Sequence, residues 1–382
     1  MKVWQLDPFN LTPYYDAAFC TALERAGCTV RWITSPYLYD AALPAGAADY
    51  VYFRSLDHPC WLHYPHLRRI ARLALYPLGH RALLRQLDGD PPDIIHLQWS
   101  RIPRLDRWLV KQIRQRGIPV VHTIHDVDPL FHTADAAELA KLYAEVDRLI
   151  VHAPANRMAL LQRHPNLGNH VRIVPHIALD WPTSLDMDRA SARRQLGIPA
   201  NAIVLLFFGS IRAYKGLETL IDAFVQARMS LPDVWLVIAG RPDSRRTDLA
   251  LRQLGAHTVI YPDYIPSDQV WRYHLAADIA IIPYRQVSQS GTLITAMGFG
   301  LPTIVTRVGS LPETVEDSGW IIPPDNPEAL AQAIRDAAND PDRRKQMGQH
   351  AQQIIKERHS PEQIAAQMLP LYEEVLCSAS ST

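Results

Sequence analysis

Residues 203–224 read IVLLFFGSIRAYKGLETLIDAF, and the fold turns on how this stretch divides. Ile203 to Phe208 is an unbroken apolar run whose length and β-rich content suit a strand buried in a parallel sheet. Leu217, Leu220, Ile221 and Phe224 recur at helical spacing. Between them lies GSIRAYKG. A strand that turns through glycines into a helix aims backbone N–H groups and the positive end of the helix dipole at one spot, and Arg212 and Lys215 add cationic donors there. The stretch therefore predicts a phosphate site. Its spacing is neither Gly-x-Gly-x-x-Gly nor the Walker pattern, so neither a dinucleotide fold nor an ATPase follows from it. An ordinary turn with a solvated Arg and Lys is the alternative.

Working outward, strand and helix alternate in both directions. Toward the C-terminus the strands are 234–239, 258–261, 279–282, 303–306 and 320–322, with helices near 215–228, 245–254, 267–276, 291–299, 310–316 and 327–339. Helices over 341–358 and 361–376 close the chain. Toward the N-terminus, strands are expected at 2–6, 29–34, 48–53, 93–97, 119–123, 148–152 and 171–174. Helices are expected at 14–26, 66–87 with a break or kink near Pro77, 103–115 and 134–145, and one more runs through Arg163. Residues 175–188, with Pro175, Trp181 and Pro182 and no period, read as a linker. This pattern predicts an α/β protein of two doubly wound domains. The first spans 1–180 and the second 190–358. Ligands of such sheets bind beyond the carboxyl ends of the strands, which in a two-domain pair can face a central cleft.

Composition narrows the function. With 382 residues and 48% apolar content the chain suits two ordinary globular domains. Its zero net charge argues against nucleic acid as a partner. Residues 66–116 nevertheless hold 11 Lys or Arg against 4 Asp. That excess is either a solvated helix face or a surface that docks on an anionic membrane, with Trp61, Trp99 and Trp108 as interfacial anchors. Cys20, Cys28, Cys60 and Cys377 have no pairing or metal spacing and read as reduced thiols of a cytoplasmic protein. Asp7 and Pro8 stand where a secretory leader needs an apolar core, and no run is long enough to span a bilayer.

The loops of the second half read together. Gly240 and Arg241 lie at one strand end, Tyr264 and Ile265 at another, and Ser290, Gly291 and Thr292 open a helix with their N–H groups free. Two helix N-termini with two or three cations fit a diphosphate, and a flat aromatic and apolar loop beside them suits a nucleobase.

FFGSIRAYKGLETLIDAF, LVIAGRP, AADIAIIPYR, SGTLITAMGFGLPTIV, VGSLPETV and the closing LPLYEEVL together resemble the GT-B glycosyltransferases of family 4, and among them the bacterial enzymes that build exopolysaccharides and lipid-linked oligosaccharides. The resemblance covers most of residues 190–376; in the first half it rests on DIIHLQW and VVHTIHD. It implies a GT-B fold of two Rossmann-like domains and a hexosyltransferase that uses a nucleotide-diphosphate sugar (UDP- or GDP-sugar) and acts on a glycan or lipid-linked acceptor. Such an enzyme would sit in the cytoplasm or at the inner face of the membrane and need no metal or other cofactor. Retention of anomeric configuration is expected over inversion.

Carried over residue by residue, Lys215 would hold the diphosphate, Gly209 would let backbone approach it, and Ser290 to Thr292 would cap its distal phosphate. Ser210 and Arg212 flank that turn. Tyr264 and Ile265 would border the base, and His125 would lie near the donor sugar. Residues 359–382 would form a helix crossing back to the first domain. The family's glutamate pair is absent, its two positions being Val287 and Thr295. Ser288, Gln289, Ser290 and Thr295 would then contact sugar and ribose through neutral hydrogen bonds. A catalytically silent nucleotide-sugar-binding subunit and a nucleotide-sugar epimerase are the alternatives.

In the first half, His125 and Asp126 follow a strand at its carboxyl end. Asp126 could orient His125 or take the acceptor's hydroxyl proton, whereas a loop histidine satisfied by backbone is the alternative. Asp126-Val127-Asp128 also matches a two-aspartate cation motif, discounted because Arg, Lys and helix N-termini already meet the phosphate charge. His96, His122, His152 and His176 have no zinc spacing and read as core or cleft-lining. Asn10, Thr12 and Tyr14, in the first strand-to-helix loop, are candidates for acceptor contacts. Glu313 is a candidate for donor hydroxyls or a plain helix-start carboxylate.

Overall fold

The computed structural model describes residues 1–40, 48–127, 136–179, 181, 188–244, 247, 251 and 254–379. The chain divides into two compact units, Met1–Ile177 with Ser360–Thr382, and Ala178–His359.

In the first unit β1 (Lys2–Asp7), β2 (Thr29–Thr34), β3 (Ala48–Tyr50), β4 (Ile94–Leu97), β5 (Val120–Thr123), β6 (Arg148–Val151) and β7 (Val171–Ile173) form a parallel sheet in the order β3-β2-β1-β4-β5-β6-β7. The central strands β4, β5 and β6 are short and almost wholly buried, as helices covering both faces require. Those helices are α1 (Pro13–Arg25), α2 (Pro65–Gly89), α3 (Pro103–Arg114), α4 (Ala136–Glu145) and α5 (Pro154–Arg163). Order reverses between β1 and β4. The loops after those two strands therefore flank the crevice in which ligands of open α/β sheets bind.

The second unit begins with a helix that the periodicity reading passed over, α6 (Arg189–Leu196). Asp188 caps it by accepting from the Ser191 N–H at 2.7 Å, and Gly197 ends it in the left-handed region. Then follow β8 (Ile203–Phe208), α7 (Leu217–Arg228), β9 (Val234–Ala239), β10 (Thr258–Tyr261), α8 (Val270–Ala276), β11 (Ile279–Ile282), α9 (Gly291–Gly298), β12 (Thr303–Thr306), α10 (Leu311–Val315), β13 (Gly319–Ile322), α11 (Pro327–Asn339) and α12 (Pro341–Ile354). The order is β10-β9-β8-β11-β12-β13, with the switch between β8 and β11. The last helix, α13 (Pro361–Ala379), belongs to the first unit.

Most element boundaries shift by a residue or a few from the sequence reading, and some of the shifts have a clear physical cause. α2 runs unbroken through Pro77, because the buried Tyr76, Gly79 and His80 pin it to the core, and a Cβ on Gly79 would meet the Tyr52 ring at 2.2 Å. β3 stops at Tyr50, since Phe53 takes up left-handed backbone to start a turn. α7 begins at Leu217 after a tight turn over Ala213–Lys215. α12 ends in a wider π turn, Ile355–His359. Most of the helix expected at 245–254 lies outside the described residues, as does Asp128. Among the described residues no helix is long and apolar enough to cross a membrane.

Candidate functional site

At the switch point of the second sheet, the loops after β8 and β11 converge. Gly209 adopts φ +93°, and the point where a side chain would start on it lies 3.1 Å from Lys215 Nζ and 3.3 Å from Thr292 Oγ1. Gly240, at the end of β9, sits directly on the Gly209 carbonyl, 2.0 Å from where its own Cβ would be. The Gly209 N–H donates to Ala239 O at 2.9 Å, the Ile211 N–H to Arg241 O at 2.8 Å and the Asp243 N–H to Ile211 O at 3.0 Å, so the two loops are zipped together. Gly309 rests on the Val287 carbonyl, and the Ser310 N–H donates to Ser288 O at 3.2 Å, which fixes the Glu313 loop beside the α9 loop.

Lys215 is 5% exposed, lies over the Tyr284 ring at 5.2 Å, and has no carboxylate partner among the described residues. Its stem is buried and its ammonium has no counter-charge beside it among those residues, which leaves the cation open to an anionic ligand. Around it the donors are neutral. Ser290 spends its hydroxyl capping α9, accepting from the Leu293 N–H at 3.2 Å. Gly291 and Thr292 are half-buried, with the first-turn N–H groups of α9. Thr295 is buried and accepts from the Trp181 indole at 3.1 Å, and Val287 is buried in the core. Gln289 carries a buried amide oxygen without a partner. Ser210 and Arg241 are exposed, Arg212 is half-buried and Glu313 is exposed. Tyr264 and Ile265 are half-buried after β10, two strands from β8. The structure thus joins Gly209, Lys215, Gly240 and Thr292 directly and sets Ser290 and Gly291 on the same loop as Thr292.

In the first unit, side chains at the ends of β4, β5, β6 and β7 meet. His125 is 3% exposed; Trp99 stacks on it with centroids 4.8 Å apart, and Tyr15 meets it edge-on at 4.8 Å. His152 Nδ1 lies 3.0 Å from Val174 O, so it carries the proton and leaves Nε2 to accept from His125 Nδ1 at 3.2 Å. His125 Nε2, 3.0 Å from Gln98 Oε1, is then an acceptor as well, which turns the Gln98 NH2 toward the ring; otherwise that NH2 is a buried donor without a partner. Burial first, then the neighbouring His152 and His176, holds His125 well below the usual histidine range, so it is neutral. Both its nitrogens are engaged.

Burial likewise lowers His96 to about 3 and His122 to about 4. His96 bridges Tyr372 Oη and Thr123 Oγ1, His122 pairs with Leu97 O, and His176 pairs with Ile177 O. Asp126 differs. Burial raises its carboxyl to about 6, placing a weak base beside this neutral array.

The acceptor candidates are tied into the first unit. Trp99 Nε1 donates to Thr12 Oγ1 at 2.9 Å, which links Thr12 to the His125 stack. Asn10, at φ +52°, donates to Ser35 O at 2.7 Å, and the Tyr14 hydroxyl donates to Asp40. Trp99 is thereby held between Thr12 and His125 within the first unit. Sequence reasoning missed Gln98, Tyr15 and Trp181, whose partners lie tens of residues away, and the buried pair Asp7 and Asp16, both raised by burial.

Two parallel-sheet units with ligand loops at their switch points define a GT-B architecture. Comparison supplies the family: the Glycosyltransferase Family 4 model matches residues 17–177 and the Glycosyl transferases group 1 model residues 188–354. The chain belongs to the GT-B glycosyltransferases of family 4. It is 28% identical over 294 residues to the D-inositol 3-phosphate glycosyltransferase of Corynebacterium kroppenstedtii, covering 70% of this chain and 64% of that protein. The chain thus spans just under two thirds of that relative's length, and 59% of the corresponding protein of Acidothermus cellulolyticus. In fold it matches sucrose-phosphate synthase from Thermosynechococcus elongatus with TM-score 0.75 at 22% identity, over 99% of this chain and 100% of that one. Anabaena HepE, solved in complex with UDP-glucose, gives TM-score 0.74 at 17% identity, over 99% of this chain and 100% of that one.

Proposed function

We propose that this chain moves a hexose from a nucleotide-diphosphate sugar to an acceptor hydroxyl. One observation carries the reading: the ammonium at the end of the largely buried Lys215 side chain, without a carboxylate among the described residues, converges with Thr292 on the side-chain-free face of Gly209 at the second sheet's switch point. A diphosphate supplies the missing charge, and the α9 N-terminus adds N–H donors. The names of the relatives and the UDP-glucose in HepE support this choice of ligand class.

Lys215 and Thr292 bind the diphosphate, which stabilises the charge that develops on the leaving group. Gln289 and Ser288 meet the sugar and Thr295 the ribose through neutral contacts. Asp126, with its carboxyl near 6, takes the acceptor's proton, while the neutral His125 stack holds that loop. The transfer needs no metal, retains anomeric configuration, and acts on a glycan or lipid-linked acceptor in the cytoplasm or at the inner face of the membrane. Exposed Leu67, Ile70 and Leu78 on α2, beside exposed Arg69, Arg81 and Arg85, favour contact with that surface.

The test is release of nucleoside diphosphate from a panel of UDP- and GDP-hexoses, with and without saccharide acceptors, in EDTA. Acceptor-dependent release undiminished by EDTA is expected. Loss of release in EDTA overturns the metal-free step. Nucleotide binding without hydrolysis or transfer points instead to a silent binding subunit, a reading favoured by the neutral Val287 and Thr295.

A further inference from the structure

The basic excess of residues 66–116 falls into two parts. On and after α3 most of it is neutralised: Arg107 and Lys111 pair with Glu145, Arg114 with Asp147, and Arg116 with Asp88, leaving the exposed Arg104. On α2 and in the loop after β4 it is not. Arg68 is 8% exposed, yet its side chain makes no hydrogen bond or ion pair to a described residue, and its Nε is buried without a partner. Arg72 donates through Nη2 to Phe9 O at 2.9 Å and Ser35 Oγ at 2.6 Å, while its Nε is also buried and unpaired. Its guanidinium lies 5.1 Å from the Phe9 ring centre and 4.8 Å from that of Phe53, and Arg101 reaches Phe9 from the other loop at 5.5 Å.

These cations repel one another. Burial, then Arg68, lowers Arg72 to about 10, and burial and Arg69 lower Arg101. The carboxyls that act on them are committed elsewhere. Asp7 accepts from the N–H groups of Phe9, Leu11 and Thr12, and Asp106 from Ser100, Tyr76 and the N–H groups of Arg101 and Ile102. Among the described residues none of the four arginines has a carboxylate at ion-pair distance. Phe9 follows β1 and Arg101 follows β4, so the cluster stands at the switch point of the first sheet, the counterpart of the Lys215 site in the second.

We propose that Arg68, Arg69 and Arg101, with Arg72 pinning the Phe9 loop, form an oxyanion site that holds a phosphate group carried by the acceptor. Guanidinium forks match phosphate oxygens, and an incoming phosphate relieves the repulsion that the fold otherwise sustains. The identification of the ligand as acceptor rests on the transfer reading; the site itself does not.

Thermal melting of the full chain with inorganic phosphate, against potassium chloride at equal ionic strength, tests the site. Phosphate is expected to raise Tm in the native chain and in Lys215→Ala, and to act at least tenfold more weakly in Arg68→Gln and Arg101→Gln. Arg69→Gln, at an exposed position, serves if Arg68→Gln does not fold. A response absent from the native chain, or unchanged in the folded arginine variants, overturns the proposal. Two further arms separate the sources of phosphate: hexose phosphates in solution, and vesicles of phosphatidylglycerol against phosphatidylcholine. A response in either arm that Arg101→Gln abolishes supports the site and names its source, whereas no Arg101-dependent response in either overturns it. Failure of the transfer reading shows separately, as no nucleotide response in a chain that still binds phosphate.

Discussion

Asp126 and His125 are adjacent but face different electrostatic situations. His125 is neutral because burial and neighbouring imidazoles oppose its charge, and its two nitrogens are held by His152 and Gln98. Asp126 has no such partners to favour either state, and burial alone lifts it from 3.8 to about 6. The sign follows. A carboxyl whose folded value is raised favours the folded state while protonated, and that advantage disappears as pH rises through about 6. Ionised Asp126 therefore destabilises the fold above pH 6, by about 3 kcal/mol for a shift of this size. Asp126→Asn should melt higher than the native chain at pH 8, with the difference shrinking to nothing near pH 4. If Asp126 is also the proton acceptor, the same variant should lose about 10²–10⁴-fold in turnover. Native turnover in Asp126→Asn would exclude that role.

At the scale of elements, the β8 and β9 loops depend on the absence of side chains. Gly240 combines φ +150° with a Cβ position 2.0 Å from the Gly209 carbonyl, so no small adjustment makes room. Gly240→Ala should cost about 1–3 kcal/mol in denaturant unfolding and weaken nucleotide binding, because the displaced strand end carries Gly209. Gly255→Ala, with nothing near its Cβ position, is the control and should change neither. α2 makes the opposite case, an element whose outward side carries Leu67, Ile70 and Leu78 in contact with solvent. Replacing Leu67, Ile70 and Leu78 with Ser should abolish co-sedimentation with anionic vesicles while the phosphate response of Arg101 persists. Unchanged sedimentation would remove the membrane reading.

Across the whole molecule, the alternation of strand and helix was readable because both sheets are parallel and buried, which makes their strands continuous apolar runs. The approach of Lys215 to Gly209 was readable because glycine spacing and a nearby cation are local. α6 had a signal too, in the Asp188 cap and Gly197, which hydrophobic period alone does not register. The remainder is long-range. The carboxylates that pair with α3, Glu145 and Asp147, lie beyond the basic stretch 66–116, and those that could have neutralised α2 are turned to backbone. The proton order through Gln98, His125 and His152 joins three strand ends, each 27 residues from the next. No spacing in the sequence announces it.

The central claim is that Lys215 waits for a diphosphate. Thermal-shift titration of the native chain and of Lys215→Ala with UDP-, GDP- and ADP-sugars tests it most directly, since stabilisation follows the logarithm of ligand over Kd. One nucleotide should raise the native Tm and leave Lys215→Ala unmoved, while inorganic phosphate continues to stabilise both. Equal stabilisation of the native chain and the variant, or none of the native chain by any donor, would contradict the account.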